Sequence, residues 1–258
     1  MKSLIASIVC AVACWTGSAQ AGEITVAAAA DLSFALKEAA AVFERQSGIH
    51  VKLSLGSSGN FYSQIQNGAP FDLFLSADVR YPQMLAEGGL ALPGTLHRYA
   101  IGRLVLWVPH RTGLPSPEGG LPILTDSAIR KIAIANPKHA PYGRAVVEAL
   151  QHEGLYEAVK DKLVLGENIS QAAQFVHSGA ADVGLIALSL AMAPAMQRAG
   201  RYWEVPQTAH ATLEQGAVVL KNGANRDGAQ ALLAFLKSPD GQALFRRYGF
   251  IVPGAAKP

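Results

Sequence analysis

The sequence predicts an α/β fold of two lobes, with mostly parallel sheets flanked by helices and two crossover strands as a hinge. Apolar segments of period two alternate with apolar segments of helical period over residues 23–88, and again over residues 131–199. Such alternation is typical of helices that cover a mostly parallel sheet. A long strand predicted at residues 99–108 separates the two runs, and a returning strand predicted at 214–220 follows the second. The chain is therefore expected to cross between the lobes twice.

In the first run, strands are predicted at residues 23–30, 49–55 and 70–76. A helix is expected to begin at Asp31 and to end at Gly48, and a second to follow the Ser57-Ser58 turn as far as Gly68. A third begins near residues 78–82 and ends at residues 88–89.

In the second run, strands are predicted at 131–135, 163–165 and 183–187, and helices at 141–154, 170–178 and 189–199. Two last helices are expected at 228–236 and 239–248. These elements divide the chain into lobe 1, formed by residues 22–103 and 214–258, and lobe 2, formed by residues 104–213.

Residues 1–21 are predicted to be a secretory signal peptide. Lys2 gives the positive start, residues 4–15 the apolar run, and Ala19-Gln20-Ala21 a small-residue cleavage site near Ala21. Both cysteines, Cys10 and Cys14, lie in this segment, so the remaining chain is expected to have no thiol or disulfide. A lipid on Cys14 is the alternative, although the three residues before it match a lipoprotein signal poorly. An exported chain without cysteine fits a bacterial periplasm.

Charge and histidine spacing argue against two classes of partner. The chain has 22 Lys and Arg against 19 Asp and Glu, a formal net charge of +3, and the signs are interspersed. Without a basic block, nucleic acid is not an expected partner. The seven histidines are scattered without metal-ligand spacing, so neither a bare metal cation nor a resident cofactor is expected.

Four predicted helix starts provide hydrogen-bond donors without charged side chains. The N-terminus of a helix exposes unpaired backbone N–H groups and a partial positive charge, and so favours an anion. Each start follows a strand or turn: Ala30-Asp31, Ser57-Ser58, Pro141-Tyr142 and Ile169-Ser170. The alternative for residues 56–59 is an ordinary turn that binds no ligand, since Gly and Ser are common turn formers. If the two lobes face each other, the four starts converge on a neutral donor cage for a small oxyanion.

The energy of such a cage is sufficient for a doubly charged guest. A hydrogen bond to a charged group contributes about 1.5–3 kcal/mol, so six or seven of them hold a dianion without Arg or Lys. An ion that is too small leaves donors unpaired, which favours selectivity.

Several longer motifs resemble those of the periplasmic molybdate-binding proteins of ABC transporters. They are Gly-Ala-Pro-Phe-Asp-Leu-Phe-Leu-Ser-Ala-Asp at 68–78, Gly-Ser-Ser-Gly at 56–59, Asn-Pro-Lys-His-Ala-Pro-Tyr-Gly at 136–143, Ser-Gly-Ala-Ala-Asp-Val-Gly at 178–184 and Arg-Tyr-Gly-Phe at 247–250. The resemblance implies a periplasmic-binding-protein fold of type II. It also implies a monomeric solute-binding component, not an enzyme, that captures molybdate and tungstate and delivers them to a membrane permease.

The same resemblance implies which residues contact the oxyanion. They would be Ala30 and Asp31 in the first turn, Ser58 in the second, and Tyr142 and Ile169 in the other lobe. Some members of the family use a Tyr hydroxyl in the strand that here ends at Ala187. This chain has no hydroxyl there, and Tyr142 is expected to replace it.

Asp31 departs from the family pattern, which has Ser, Thr or Asn at this turn. A carboxylate about 4 Å from a unit negative charge costs about 4 kcal/mol at an effective dielectric near 20, and a dianion doubles that. The Asp31 side chain is therefore expected to turn away and cap its own helix, accepting from the N–H of Ser33 or Phe34. The alternatives are a protonated carboxyl that donates to the ligand, or a different ligand.

Three other functions compete with molybdate binding. The first is the same fold with sulfate, phosphate or an organic anion. The second is a hydrolase that uses Ser58 as its nucleophile. Residues 56–59 do not form a Gly-x-Ser-x-Gly elbow, however, and no motif identifies a histidine as the general base for Ser58. The third is the effector half of a transcription regulator, against which the signal peptide and the lack of a DNA-binding segment argue.

Overall fold

The computed structural model describes residues 22–111 and 113–253 and contains two five-stranded sheets with helices packed on them. The predicted signal peptide, both cysteines and the last five residues lie outside the described residues. The two sheets and their helices confirm the two-lobed α/β class. Within the described ranges, no helix is both long and apolar enough to cross a membrane.

The ten strands within the described residues are short and mostly buried. They are β1 Glu23–Ala29, β2 His50–Gly56, β3 Leu73–Ser76, β4 His97–Ile101, β5 Leu104–Pro109, β6 Ile132–Ala135, β7 Leu163–Gly166, β8 Val183–Ala187, β9 Gly200–Glu204 and β10 Glu214–Val219.

The described α-helices cover both faces of the sheets. They are α1 Ala35–Ser47, α2 Ser58–Gln66, α3 Arg80–Glu87, α4 Pro141–His152, α5 Tyr156–Val159, α6 Ile169–Ser178, α7 Leu188–Ala191, α8 Pro194–Ala199, α9 Arg226–Lys237 and α10 Pro239–Arg247.

The two sheets have equivalent strand orders, β2-β1-β3-β10-β4 in one and β7-β6-β8-β5-β9 in the other. We call the first sheet with α1–α3, α9 and α10 lobe 1, and the second with α4–α8 lobe 2. In each sheet the first three strands are parallel, and the last two pairings are antiparallel. The sheets are thus mixed rather than mostly parallel. The antiparallel strands β10 and β5 are the ones that arrive from the other lobe.

The chain crosses between the lobes at two places. The strand predicted at 99–108 is two strands, β4 and β5, which belong to different sheets and are separated by Gly102 and Arg103. The second crossing is the segment 205–213 between β9 and β10. The lobe boundaries at 103/104 and 213/214 stay a prediction, and both fall at these crossings.

Two predicted helices differ from the structure. The first does not begin at Asp31: residues Ala30–Leu32 form a single 3-10 turn, and α1 begins at Ala35. The helix predicted at 189–199 is two short helices, because Pro194 lacks a backbone N–H and begins a new one. The edge strand β9 was not predicted from the sequence.

Strand register places the predicted helix starts beside each other. In lobe 1, Ala29 at the end of β1 lies opposite Gly56 at the end of β2, so the 3-10 turn and the start of α2 are neighbours. In lobe 2, Ala135 at the end of β6 lies opposite Gly166 at the end of β7, which pairs the segments leading to α4 and α6. The carboxyl ends of parallel strands are where α/β folds bind ligands.

Candidate functional site

All five predicted contact residues line one small cavity between the lobes. Ala30, Asp31, Ser58, Tyr142 and Ile169 each have at most 4% of their surface exposed. The cavity has room for about one water molecule. A tetrahedral oxyanion needs more room than this, so the groups that line the cavity must adjust locally to admit it. The cavity's remaining lining comes from the same turns: Ala29, Gly56, Ser57, Ala77, Ala140, Pro141 and Asn168.

Three α-helices begin at the cavity, and the first N–H groups of a helix have no acceptor within the helix. At α4, Pro141 occupies the first position and has no N–H, so the first free donor is that of Tyr142. At α6, the Asn168 side chain accepts from the Gln171 N–H at 3.0 Å, whereas the N–H of Ile169, the first of the helix, has no intrahelical acceptor. The cavity is therefore lined by uncharged donors from both lobes.

Ser58 supplies a hydroxyl that is free to donate. Its Oγ accepts from the backbone N–H of Ala77 at 3.0 Å, and its own proton has no acceptor among the described residues. The neighbouring Ser57 has a different role: its Oγ donates to the His139 carbonyl at 2.5 Å and lies 3.0 Å from His139 Nδ1. His139 therefore contacts Ser57, across the lobes, and not Ser58.

The Asp31 side chain does not cap its own helix, and that prediction was wrong. Its Oδ2 accepts from Gln215 Nε2 at 2.6 Å and from the hydroxyl of Tyr142 at 3.1 Å. The 3-10 turn explains the difference. The N–H of Ser33 donates to the Ala30 carbonyl within this turn and is not available to the side chain. The carboxyl of Asp31 thus joins lobe 1 to Tyr142 of lobe 2.

Burial determines the protonation of this network. Asp31 is fully buried, and burial raises its pKa from 3.8 to about 6, although the hydrogen bonds from Gln215 and Tyr142, and the nearby backbone N–H groups of Asp31 and Leu32, offset part of the rise. Its second oxygen, Oδ1, has no hydrogen-bond partner among the described residues. Burial and then the nearby Asp31 charge raise the pKa of both Tyr99 and Tyr142 well above the usual value for tyrosine.

Sequence reasoning missed three polar residues around Asp31. Gln215, fully buried in β10, also accepts at Oε1 from the hydroxyl of Tyr99 at 2.7 Å. Ser189 of lobe 2 donates from Oγ to the Asp31 carbonyl at 2.7 Å. The one available signal was Gln215 itself, because a polar amide within an otherwise apolar strand needs buried partners.

Side-chain contacts between the lobes flank the cavity. Arg144 of α4 donates to Asp78 at 2.6 Å and to the Tyr81 hydroxyl at 3.2 Å, both in lobe 1. On the Ser57 side, the Gly59 N–H donates to the His139 carbonyl at 3.0 Å. These contacts hold the two lobes in a closed arrangement around the predicted site.

Comparison with known proteins assigns the chain to a family. The model of the family described as bacterial extracellular solute-binding protein matches residues 24–251. The chain belongs to this family. Two curated relatives are the molybdate-binding proteins ModA of Azotobacter vinelandii and Rhodobacter capsulatus. Each is 42% identical to this solute-binding protein, and each alignment spans 90% of its length. The alignments span 91% of the Azotobacter protein and 90% of the Rhodobacter protein. The predicted family resemblance is confirmed.

Solved structures extend this comparison. The periplasmic molybdate-binding protein of Azotobacter vinelandii superimposes with a TM-score of 0.83 at 36% identity, over 89% of this solute-binding protein and 99% of that chain. The sulfate-binding protein SubI of Mycobacterium tuberculosis gives a TM-score of 0.72 at 16% identity, over 90% of this chain and 88% of that one. At 16% identity the likeness concerns the fold alone.

A larger cavity of about 290 Å³ lies beside the small one in this solute-binding protein. It contains two cations, Arg80 and Arg144, but Asp78 accepts from both, and Glu148 adds a second carboxylate. Burial alone would raise the pKa of Asp78, yet the Arg80 and Arg144 guanidinium groups lower it, so this carboxylate stays charged. The charges of the larger cavity are therefore balanced, and it attracts an anion less strongly than the small cavity does.

Proposed function

We propose that this protein is the exported, periplasmic binding component of an ABC importer that captures molybdate, and also tungstate, and delivers it to a membrane permease. The observation that carries the proposal is the convergence of Ala30, Asp31, Ser58, Tyr142 and Ile169 on one interlobe cavity. The support from comparison is the 42% identity to two proteins named as molybdate-binding. The protein acts as a monomer and takes no part in covalent chemistry.

The donor set explains why the ligand is a tetrahedral oxyanion. Backbone N–H groups at three helix starts and the hydroxyl of Ser58 are donors, and apart from Asp31 the lining has no charged side chain. Oxygen atoms arranged around a central atom accept from donors on several sides at once. Molybdate and tungstate have nearly the same shape and charge, so this cage binds both.

Capture and delivery depend on closure of the lobes. A ligand that accepts from Ser58 in lobe 1 and from the starts of α4 and α6 in lobe 2 binds the closed state better than the open state. It therefore shifts the population toward closure. Because closure also brings Arg144 to Asp78, the outer surface differs between the two states, and this is the difference a permease reads.

A binding role fits the hydroxyls better than a hydrolytic one. Ser58 accepts from the Ala77 N–H, while His139, the nearest candidate base, is used by Ser57. Ser57 itself donates to a carbonyl rather than to a ring nitrogen. Neither serine therefore has the serine-to-base hydrogen bond of an activated nucleophile.

A different anion is the second candidate, and Asp31 is the observation that favours it. If charged, its carboxylate repels a dianion by about 8 kcal/mol at a separation of about 4 Å and an effective dielectric near 20. A singly charged anion meets half of that repulsion. Phosphate, part of which is singly charged near neutral pH, and a singly charged organic anion meet less repulsion, whereas sulfate, the other inorganic alternative, carries the same double charge as molybdate.

Calorimetric titration with molybdate, tungstate, sulfate and phosphate at about pH 7.5 tests the proposal. We expect one-to-one binding of molybdate and tungstate only. Ser58→Ala should weaken it by about tenfold, because it removes a donor to a charged ligand. Tyr142→Phe should also weaken it, because it removes the hydrogen bond from Tyr142 to Asp31 that joins the lobes. Ser63→Ala, on the exposed face of α2, is the control and should bind like the wild type. Binding of sulfate or phosphate in preference to molybdate would contradict the proposal.

A further inference from the structure

We propose that Asp31 binds the oxyanion as a protonated carboxyl, so that each bound molybdate brings one proton from solvent into the site. This inference rests on the proposed function and assigns to Asp31 a role as a donor. The proton goes to the carboxylate of Asp31, no covalent bond to the ligand forms, and release of the ligand returns the proton to solvent.

The hydrogen bonds of Asp31 leave one position open for this role. Oδ2 already accepts from Gln215 and from Tyr142, whereas the buried Oδ1 has no hydrogen-bond partner among the residues that the structure describes. An unsatisfied buried oxygen is costly, and native structures seldom keep one without a function. A proton on Oδ1 converts it into a donor, the type of group that the rest of the cavity offers.

The side chain cannot escape the ligand by turning to solvent. Asp31 is 0% exposed, and its neighbours Ala30 and Leu32 are buried as well. Its backbone is fixed because its carbonyl accepts from the hydroxyl of Ser189. Among the described residues, no Lys, Arg or His forms an ion pair with Asp31 that would neutralise its charge.

The titratable groups that act on Asp31 are two tyrosines, Tyr142 from α4 and Tyr99 from β4, and both are neutral. The 3-10 turn also packs against α1, β2, α6 and α7. The helix α7 has no titratable residue. The titratable residues of the other three all reach solvent and do not hydrogen-bond to Asp31: Lys37, Glu38, Glu44 and Arg45 of α1, His50 and Lys52 of β2, and His177 of α6.

Protonation costs far less affinity than keeping the charge. At about pH 7.5, a carboxyl whose pKa is about 6 gains its proton at a cost of about 30-fold in affinity. The repulsion between a charged Asp31 and a dianion about 4 Å away corresponds to about a millionfold. The dianion therefore raises the pKa of Asp31 in the complex above that of the free protein.

Calorimetric titration of the exported protein with sodium molybdate, at about pH 7.5 in buffers of different ionisation enthalpy, counts the protons taken up on binding. We expect about one proton for the wild type and none for Asp31→Asn, which keeps the shape of the side chain and supplies an amide donor. Above about pH 6, wild-type affinity should fall by about tenfold per pH unit, because the free carboxyl is ionised there. The affinity of the Asn variant should stay constant, and at about pH 8 it should exceed that of the wild type.

The possible outcomes separate this inference from the proposed function. Tight wild-type binding without proton uptake would overturn the inference alone, as would uptake that persists in Asp31→Asn. Binding by the wild type only at low pH, or by the Asn variant alone, would support it. If neither protein binds molybdate at any pH between about 5.5 and about 8.5, the proposed function fails, and this inference fails with it.

Discussion

Replacing Gly59 with Ala is expected to lower the affinity for molybdate by about 100-fold without destabilising the protein. A Cβ at this position would lie 2.7 Å from the His139 carbonyl oxygen and 2.9 Å from the Tyr81 hydroxyl. The first of these atoms is backbone of the other lobe, so the lobes must separate to relieve the contact. The separation also lengthens the hydrogen bond from the Gly59 N–H to His139, which measures 3.0 Å.

The same substitution should leave lobe 1 at least as stable as before. Gly59 is the second residue of α2, where Ala is favoured over Gly by up to about 1 kcal/mol. Thermal unfolding without ligand should therefore show an unchanged or higher midpoint, while titration shows the loss of affinity. Ser63→Ala on the exposed face of the same helix serves as the control. Unchanged affinity in Gly59→Ala would mean that the lobes do not approach this closely in the complex.

Asp31→Asn is expected to raise the free energy of unfolding by up to about 3 kcal/mol at about pH 7.5. The pKa of Asp31 is raised from 3.8 to about 6 in the folded protein. The folded protein thus holds this proton more tightly than the unfolded chain does. The stability that this proton contributes is fully present below about pH 4 and is lost as the pH rises through about 6. Asn has no proton to lose, so it avoids this loss.

Thermal unfolding of the free protein at two pH values measures the effect. At about pH 7.5 the midpoint of Asp31→Asn should exceed that of the wild type by about 6–12 °C, and at about pH 4 the two should differ little. Asp161→Asn, which removes an exposed carboxylate of lobe 2, controls for the change in net charge. A lower midpoint at about pH 7.5, or an equal gain at both pH values, would contradict the account of Asp31.

The sequence predicted those elements of the fold that hydrophobic period and local breakers determine. The strand β8 has the predicted bounds, and α6 begins one residue before the predicted Ser170. The predictions failed where tertiary pairing decides. The strand predicted at 99–108 is broken at Gly102 and Arg103 because β4 and β5 join different sheets; the sequence predicted the crossing between the lobes here but not the break in the strand. The edge strand β9 has only one partner, β5, and its sequence has no clear period.

The four turns that lead to helices could be predicted from the sequence, because helices follow strand ends, and the resemblance to the family selected the five candidate contacts among their residues. Their convergence in one cavity depends only on the two lobes facing each other. The network around Asp31 was not predictable, because its partners come from distant parts of the chain. Tyr142 is 111 residues away from it and Gln215 is 184 residues away. The sequence therefore identified Asp31 as the departure from the family pattern, whereas its partners required the structure.

The most direct test of the proposed site is a crystal structure of the protein with bound tungstate, located by its anomalous scattering. We predict a single peak in the small cavity, within hydrogen-bond distance of the Ser58 hydroxyl and of the first N–H groups of α4 and α6. The Asp31 carboxyl should lie at hydrogen-bond distance from a tungstate oxygen. A peak in the larger cavity beside Arg80 and Arg144, with the small cavity closed, would contradict the assignment of all five contact residues.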